Sequence, residues 1–245
     1  MAVPKSKKIA FHYKFTFPTG KVQTFQVELD PQTLQILLPE RTDFPDWARL
    51  SFHQCTNCPL NESQNPRCPI AANLTDVIDF FKDAVSYETM EVEISTAERT
   101  FKKQTALQEG LSSLMGIYMV TSGCPVMDKL RPLVRTHLPF ATLEETTYRA
   151  IAMYALVQLL RVRHGQKPDW ELKYLTKIYE DIQTVNVCFR ERLAGIHIED
   201  AGLNALVRLD AYAQFTNMQL LELGLENIEK LFAAYLEEPG AGGAL

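Results

Sequence analysis

Residues 9–17 read Ile-Ala-Phe-His-Tyr-Lys-Phe-Thr-Phe, with a large apolar side chain at every second position. This period of two is typical of a β-strand that turns one face toward a hydrophobic core. Pro18, Thr19 and Gly20 supply turn residues, and an extended pattern returns from Lys21 to Leu29. The N terminus is therefore predicted to form a β-hairpin.

A second hairpin is predicted further along the chain, from extended patterns in residues 85–94 and 99–103. Between the two hairpins, residues 69–84 carry apolar side chains at helical spacing. Residues 34–38 fit either a short third strand or a helical turn. The economical arrangement for residues 8–104 is a four-stranded antiparallel sheet with one helix packed on it.

From about residue 105 the pattern becomes helical. Residues 107–121 are apolar on nearly every side, which predicts a buried helix with Gly123 as the residue just beyond its end. A short helix is expected between Pro125 and Pro139. The residues from Thr142 to Glu145 form a capping box that opens a long helix, and two or three more helices follow before residue 236.

These patterns predict an α+β fold, with an N-terminal antiparallel β-sheet (two hairpins plus one helix) packed on a C-terminal α-helical bundle. The β-rich part covers residues 1–104 and the helical part residues 105–238, as one integrated unit. The glycine-rich end, residues 239–245, is predicted to be disordered.

The composition is that of an ordinary globular protein. The 245 residues are 46% hydrophobic and carry a formal charge of −5, so broad binding to nucleic acid or to an anionic membrane is not expected. No signal-peptide pattern and no membrane-spanning apolar run is present. We expect a cytoplasmic protein, in which cysteines stay reduced.

Cysteines give the sequence its one specific chemical signal. Cys55 and Cys58 have the CxxC spacing of a metal knuckle, and Cys68 lies across a polar loop. The fourth ligand of the predicted metal centre is either His53 or the distant Cys124. Cysteine spacing leaves the choice between Zn²⁺ and a [4Fe–4S] cluster open.

Proline follows three of these cysteines directly: Cys58, Cys68 and Cys124. A proline at the first helical position makes the preceding residue an N-cap, where backbone N–H groups favour the thiolate form. This favours Cys124 over His53 as the fourth ligand. Cys-Pro is also a common element of iron–sulfur sites.

Other interpretations of the thiols stay open. Buried cysteines often behave as small apolar residues, and Cys188, within a predicted helix, is interpreted in that way. Cys55 and Cys58 could form a metal-free redox pair, although their polar loop is not the usual setting for one. Cys124 as a nucleophile lacks a base nearby in the sequence.

Basic residues follow Cys124 closely, and they suggest a site for an anion, with Arg131 and Arg135 as the candidates. A solvated helix face explains the same pattern. Apolar stripes in the C-terminal helices, among them Tyr148, Ile151, Ala155 and Leu159, are attributed to core packing. An apolar excess in the last helix would instead indicate a homodimer interface.

Three segments carry a resemblance to a known family: residues 53–60 (HQCTNCPL), 110–132 (GLSSLMGIYMVTSGCPVMDKLRP) and 138–142 (LPFAT). They resemble an uncharacterised bacterial protein family, described only as a domain of unknown function, over most of residues 8–235. The resemblance implies a bacterial, single-unit, cytoplasmic protein. It brings no activity, ligand or fold.

The sequence thus predicts a cytoplasmic metal-binding protein whose centre is structural or redox-sensing. One alternative is a metal-dependent enzyme that acts on an anionic small molecule held by Arg131 and Arg135. A second alternative is a metal-free thiol redox protein.

Overall fold

A computed structural model of the protein describes residues 8–223 and 226–237. Its strands are β1 (Ile9–Thr16), β2 (Val22–Leu29), β3 (Thr89–Ser95) and β4 (Thr100–Ala106). All pairings are antiparallel, and the strand order is β2-β1-β3-β4. The predicted sheet of two hairpins is confirmed. Residues 34–38 add only one bridge, from Ile36 to Leu29.

The helices follow mainly after the sheet, which confirms the α+β fold class. They are α1 (Pro69–Phe81), α2 (Leu107–Thr121), α3 (Leu143–Arg163), α4 (Lys173–Ala194), α5 (Asp200–Met218), α6 (Glu226–Glu229) and α7 (Ala233–Leu236). Tighter 3-10 segments occupy Asp46–Ala48, Met127–Thr136 and Lys230–Phe232, and a π-helical turn covers Gln219–Leu223. The tail predicted to be disordered, residues 239–245, lies outside the described residues.

Strand β1 lies inside the sheet because its alternating face is apolar. Tyr13 and Phe15 are fully buried, and the Phe15 ring packs edge-on against Phe81 of α1 at 5.2 Å between ring centroids. Aromatic pairs in this geometry gain about 0.5–1.5 kcal/mol beyond the area they bury. The predicted helix on the sheet is therefore held by aromatic contacts to the predicted strand.

Helix α2 approaches the sheet so closely that one position requires glycine. A Cβ atom at Gly110 would lie 2.8 Å from Val92 Cγ2 and 2.9 Å from Phe15 Cε1. Such contacts are too short for a methyl group in a packed core. Because α2 also packs on α5, it joins the sheet to the C-terminal helices.

Helix α3 begins at the predicted capping box. Thr142 Oγ1 accepts from the backbone N–H of Glu145, and Glu145 Oε2 accepts from that of Thr142. The face that α3 buries was assigned wrongly from the sequence. Tyr148, Ala155 and Leu159 are exposed and Ile151 is partly buried, while the buried residues are Thr147, Ala150, Tyr154 and Gln158.

The outer face of α3 therefore presents apolar side chains to solvent, including Leu156 and Leu160. A homodimer through the C-terminal helices stays a prediction. None of the described helices combines the length and the apolar content that crossing a membrane would require.

Candidate functional site

The cysteine loop, defined as residues 49–68, folds back on itself. Arg49 and Arg67 form a bridge, and the backbone N–H of Leu50 donates to Pro66 O at 3.1 Å. At the end of the loop, Cys68 N donates to Ala48 O at 2.9 Å. The two ends of the loop therefore meet, which places Cys68 beside the start of the loop.

The CxxC segment forms the tight turn that its spacing predicts. Cys58 N donates to Cys55 O at 3.0 Å across that turn. Asn57, between the two cysteines, donates from Nδ2 to the Asp181 carbonyl on α4 at 2.9 Å. The turn is therefore attached to α4 as well as closed within itself.

Cys68 and Cys124 both precede helical segments. Cys68 is the N-cap of α1, with Pro69 at the first helical position, as predicted. After Cys124 the helical segment begins only at Met127, two residues later than Pro125. Burial raises the pKa of the Cys124 thiol, and the backbone N–H groups of Met127 and Val126 lower it by a smaller amount.

All five cysteine thiols are free. Burial is the main cause that raises the pKa of Cys55, and the charges of Cys188, Cys68, Cys124 and Cys58 raise it further, in that order. Such effects require nearby groups because Coulomb energy falls with distance. The charges of the three other predicted cysteines and of Cys188 thus act on Cys55, while the four-cysteine metal centre stays a prediction.

Sequence reasoning treated Cys188 as an inert core residue, and its proximity to the other thiols was missed. One signal could have found it. Cys188 lies four residues before Arg192, so the two share one face of α4. A cysteine one helical turn from a buried arginine is a more polar setting than an apolar core.

Arg192 is the most deeply buried cation near the thiols, with 1% of its surface exposed. Its Nη1 donates to Trp47 O at 2.7 Å and to Arg49 O at 2.6 Å. Its Nη2 donates to Leu50 O at 3.2 Å and to His53 O at 3.3 Å. Arg192 therefore holds the entrance of the cysteine loop through four carbonyl groups.

No carboxylate of the described residues lies within ion-pair distance of Arg192. Burial lowers the pKa of its guanidinium, and the thiols of Cys68, Cys55 and Cys58 act in the opposite direction. The groups available to balance this buried charge are therefore thiols.

The thiols are not arranged around a single ion. Over residues 8–223 and 226–237, no three His, Cys, Asp or Glu side chains form a group that could hold one metal ion. A zinc ion with sulfur ligands at about 2.3 Å needs those sulfurs about 3.8 Å from one another. The thiols are near enough for their charges to interact but lack this compact arrangement.

His53, the alternate fourth ligand, lies close to the end of α4. Its Nε2 would be 3.0 Å from a Cβ atom at Gly195, just beyond α4, and its ring packs on Phe52 at 5.0 Å. The imidazole is thus placed against the end of α4. It is not among the groups that shift the pKa of Cys55 or Cys124.

Arg131 and Arg135 are the residues that were predicted to bind an anion. Arg131 pairs with Asp128, with 2.7 Å between Nη1 and Oδ1. Arg135 is exposed near the end of the 3-10 segment Met127–Thr136. Neither lines the cavity between the helices, whereas Arg149 and Arg208 do.

A second polar cluster joins the sheet to the helices. His137 Nε2 lies 2.8 Å from Tyr13 Oη and 3.4 Å from Ser113 Oγ. The His137 ring also packs edge-on against Phe11. Burial, and then the positive charge of Arg149, lower the pKa of His137 to about 3. The imidazole is therefore neutral at physiological pH.

This neutral histidine predicts a loss of stability in acid. Below its usual pKa of about 6.5, His137 takes up a proton in the unfolded chain but not in the folded one. The free energy of unfolding should therefore fall as the pH falls from about 6.5 to 3, and by about 2 kcal/mol between pH 7 and pH 5. Urea denaturation at the two pH values measures it.

The His137→Gln variant lacks the titrating group and should lose about 2 kcal/mol less between the two pH values. His164→Gln, at an exposed position at the end of α3, should follow the parent protein. Parallel stability curves for the parent and for His137→Gln would show that His137 does not cause the acid sensitivity.

Comparisons with known proteins give a family but no activity. No curated protein and no solved structure matches the chain. A family model described as a domain of unknown function (DUF6901) matches residues 11–233, which confirms the predicted resemblance. The chain therefore belongs to the DUF6901 family.

Proposed function

We propose that the protein binds a [4Fe–4S] cluster through Cys55, Cys58, Cys68 and Cys124. The cluster would fasten the cysteine loop to α1 and to the turn after α2. One observation carries this proposal: the free thiols of Cys55, Cys58 and Cys68 act on Arg192, a buried cation without a carboxylate partner among the described residues.

Charge balance supports a metal–thiolate centre. A buried cation without a counter-ion is costly, and removal of one partner of a buried pair typically costs about 3–5 kcal/mol. A cluster with four thiolate ligands carries net negative charge. Arg192 would then stabilise the centre electrostatically while its four carbonyl contacts hold the loop in place.

Two observations favour a cluster over a single ion. A [4Fe–4S] cluster is larger than one Zn²⁺ ion, so its cysteine sulfurs stand further apart. The described thiols influence one another's pKa values yet form no compact ion-sized group. Of the two centres that the sequence left open, the wider one suits this arrangement.

The backbone around the ligands also suits a cluster. Hydrogen bonds to cluster sulfurs tune iron–sulfur centres, and the backbone N–H groups of Met127 and Val126 favour the thiolate form of Cys124. Cys188 lies within α4, where backbone N–H groups are used by the helix. We therefore assign the four loop and turn cysteines as ligands and leave Cys188 beside them.

The alternatives have less support. A reactive redox thiol needs a lowered pKa, whereas burial raises the pKa of Cys55. An enzyme that holds an anion with Arg131 and Arg135 would need both side chains at one site, and Arg131 is engaged by Asp128.

The role proposed for the centre is structural, with a redox response at its outer edge. Cys68 and Cys124 are buried in the core, while Cys55 and Cys58 are only partly buried. Oxidants in a cytoplasmic setting would therefore reach the centre from the side of the CxxC turn.

Anaerobic purification followed by elemental analysis tests the proposal. We expect a brown protein that absorbs near about 400 nm, with about four iron and four sulfide per chain, and bleaching by dithionite. A colourless protein with one zinc per chain would show that the centre is a zinc site and not an iron–sulfur cluster. A protein that takes up neither metal after anaerobic reconstitution would leave only the metal-free thiol interpretation.

A further inference from the structure

A cavity of about 200 Å³ lies among the helices. Residues of α2, α3, α4, α5 and the 3-10 segment Met127–Thr136 surround it. Most of its wall is apolar and includes Ile117, Leu130, Leu133, Val134, Phe140 and Leu209. An apolar cavity with a few polar groups is the usual form of a small-molecule site.

Three buried polar atoms on residues that line this cavity have no hydrogen-bond partner in the described structure. They are Asn186 Oδ1, Arg149 Nε and Arg208 Nε. The Asn186 side chain belongs to a residue that is only 3% exposed. More than about 90% of buried polar groups in proteins are hydrogen-bonded, so three unpaired groups around one cavity point to a polar ligand.

The charges around the cavity favour an anion. Arg149 Nη2 donates only to carbonyl groups, Leu133 O and Thr136 O, each at 2.8 Å. No carboxylate of the described residues lies within ion-pair distance of Arg149. Arg149 is therefore a cation at the cavity that has no direct carboxylate partner among the described residues, although the charge of Glu145 acts on it from further away.

Arg208, the second cation at the cavity, shares the Glu109 carboxylate with Lys103 and Thr105. Its Nη2 is 3.8 Å from Glu109 Oε1, while Lys103 Nζ lies closer to that oxygen, at 2.7 Å, and Thr105 donates to the other. Because Glu109 is already engaged by two other groups, positive charge exceeds negative charge at this wall.

The size of the cavity limits the ligand. A cavity of about 150 Å³ in another protein holds one benzene molecule. A cavity of about 200 Å³ therefore suits a molecule on the order of ten non-hydrogen atoms.

We propose that this cavity binds a small aromatic carboxylic acid that carries a second polar group. The carboxylate accepts hydrogen bonds from Arg149, the ring lies against the apolar wall, and a hydroxyl group forms a hydrogen bond with the side-chain amide of Asn186. This site is distinct from the proposed iron–sulfur centre and does not depend on it.

Titration calorimetry with two matched probes tests the charge. The probes are para-hydroxybenzoate and para-hydroxybenzyl alcohol, which share the ring and the phenol but differ in charge. We expect the acid to bind to the purified protein, and the alcohol to bind at least about tenfold more weakly. Equal affinities, or no binding of the acid at millimolar concentration, would overturn the proposal.

Variants test the residues. Arg149→Gln should weaken binding of para-hydroxybenzoate by about tenfold or more, whereas Arg135→Gln, which changes an exposed arginine outside the cavity, should leave it unchanged. An equal loss in both variants contradicts the assignment.

A second variant keeps the test independent of the folding of Arg149→Gln. Asn186→Leu should weaken binding of para-hydroxybenzoate but not of benzoate, which lacks the phenol. If Asn186→Leu leaves the preference between the two acids unchanged, the assigned role of Asn186 is wrong.

Discussion

The Cys124→Ala variant is expected to lose most of its iron and several kcal/mol of stability together. Removal of one buried thiol should by itself cost about 1 kcal/mol. Metal binding at a site formed only in the folded state adds directly to folding free energy. Iron analysis and urea denaturation of anaerobically prepared protein measure the two effects.

Cys188→Ala is the matched control, because the burial of the two residues is nearly identical. Cys124 is 9% exposed and Cys188 is 8% exposed. If Cys188 is not a ligand, Cys188→Ala should keep the iron of the parent protein and lose only the truncation cost. The assignment fails if Cys124→Ala keeps its iron. Retention of iron in Cys124→Ala would bring either Cys188 or His53 into the ligand set.

The sheet could be predicted because its signal is local. The apolar side chains at every second position in residues 9–17 predict which residues face the core. Tyr13 and Phe15 are fully buried, as this pattern predicts. The capping box at Thr142 is equally local, since its donors and acceptors lie within four residues. Such features need no knowledge of the rest of the fold.

The packing of α3 could not be predicted in the same way. The sequence of α3 places apolar residues on more than one side of the helix. The hydrophobic period therefore does not predict which side packs against α5. Thr147 and Gln158 are buried there, while Leu159 is exposed. Thr147 lies within hydrogen-bond distance of Thr216, and Gln158 accepts from the backbone of Asp169. Partners outside the helix decided the orientation.

Only part of the candidate site could be predicted, again because some of its contacts come from distant parts of the chain. Spacing indicates that Cys55, Cys58 and Cys68 are close, because one short loop contains them. The effect of Cys188 on the other thiols depends on how α4 packs, and its spacing of four residues from Arg192 is only an indirect signal of it. Arg192 resembles any charged residue near a helix end, yet its partners lie more than 130 positions away in the chain.

Arg192→Met is expected to lower the free energy of unfolding by at least about 3 kcal/mol. Methionine fills much of the same space but donates no hydrogen bonds, so four carbonyls at the start of the cysteine loop lose their donor. Each buried acceptor left unpaired costs about 1–3 kcal/mol. Arg192→Lys keeps the charge but cannot reach four acceptors from one ammonium group, and should therefore fall between the parent and the methionine variant.

Arg163→Met is the control for position in a helix, because Arg163 lies in the last turn of α3 as Arg192 lies in the last turn of α4. Arg163 is exposed, so its replacement should change stability by about 0.5 kcal/mol or less. Urea denaturation of chelator-treated protein measures the free energy of unfolding without a contribution from bound metal, so the difference reports on the hydrogen bonds. Equal losses in Arg192→Met and Arg163→Met would mean that the four carbonyl contacts contribute no stability. The cysteine loop would then need another anchor, such as the Asn57 contact to α4.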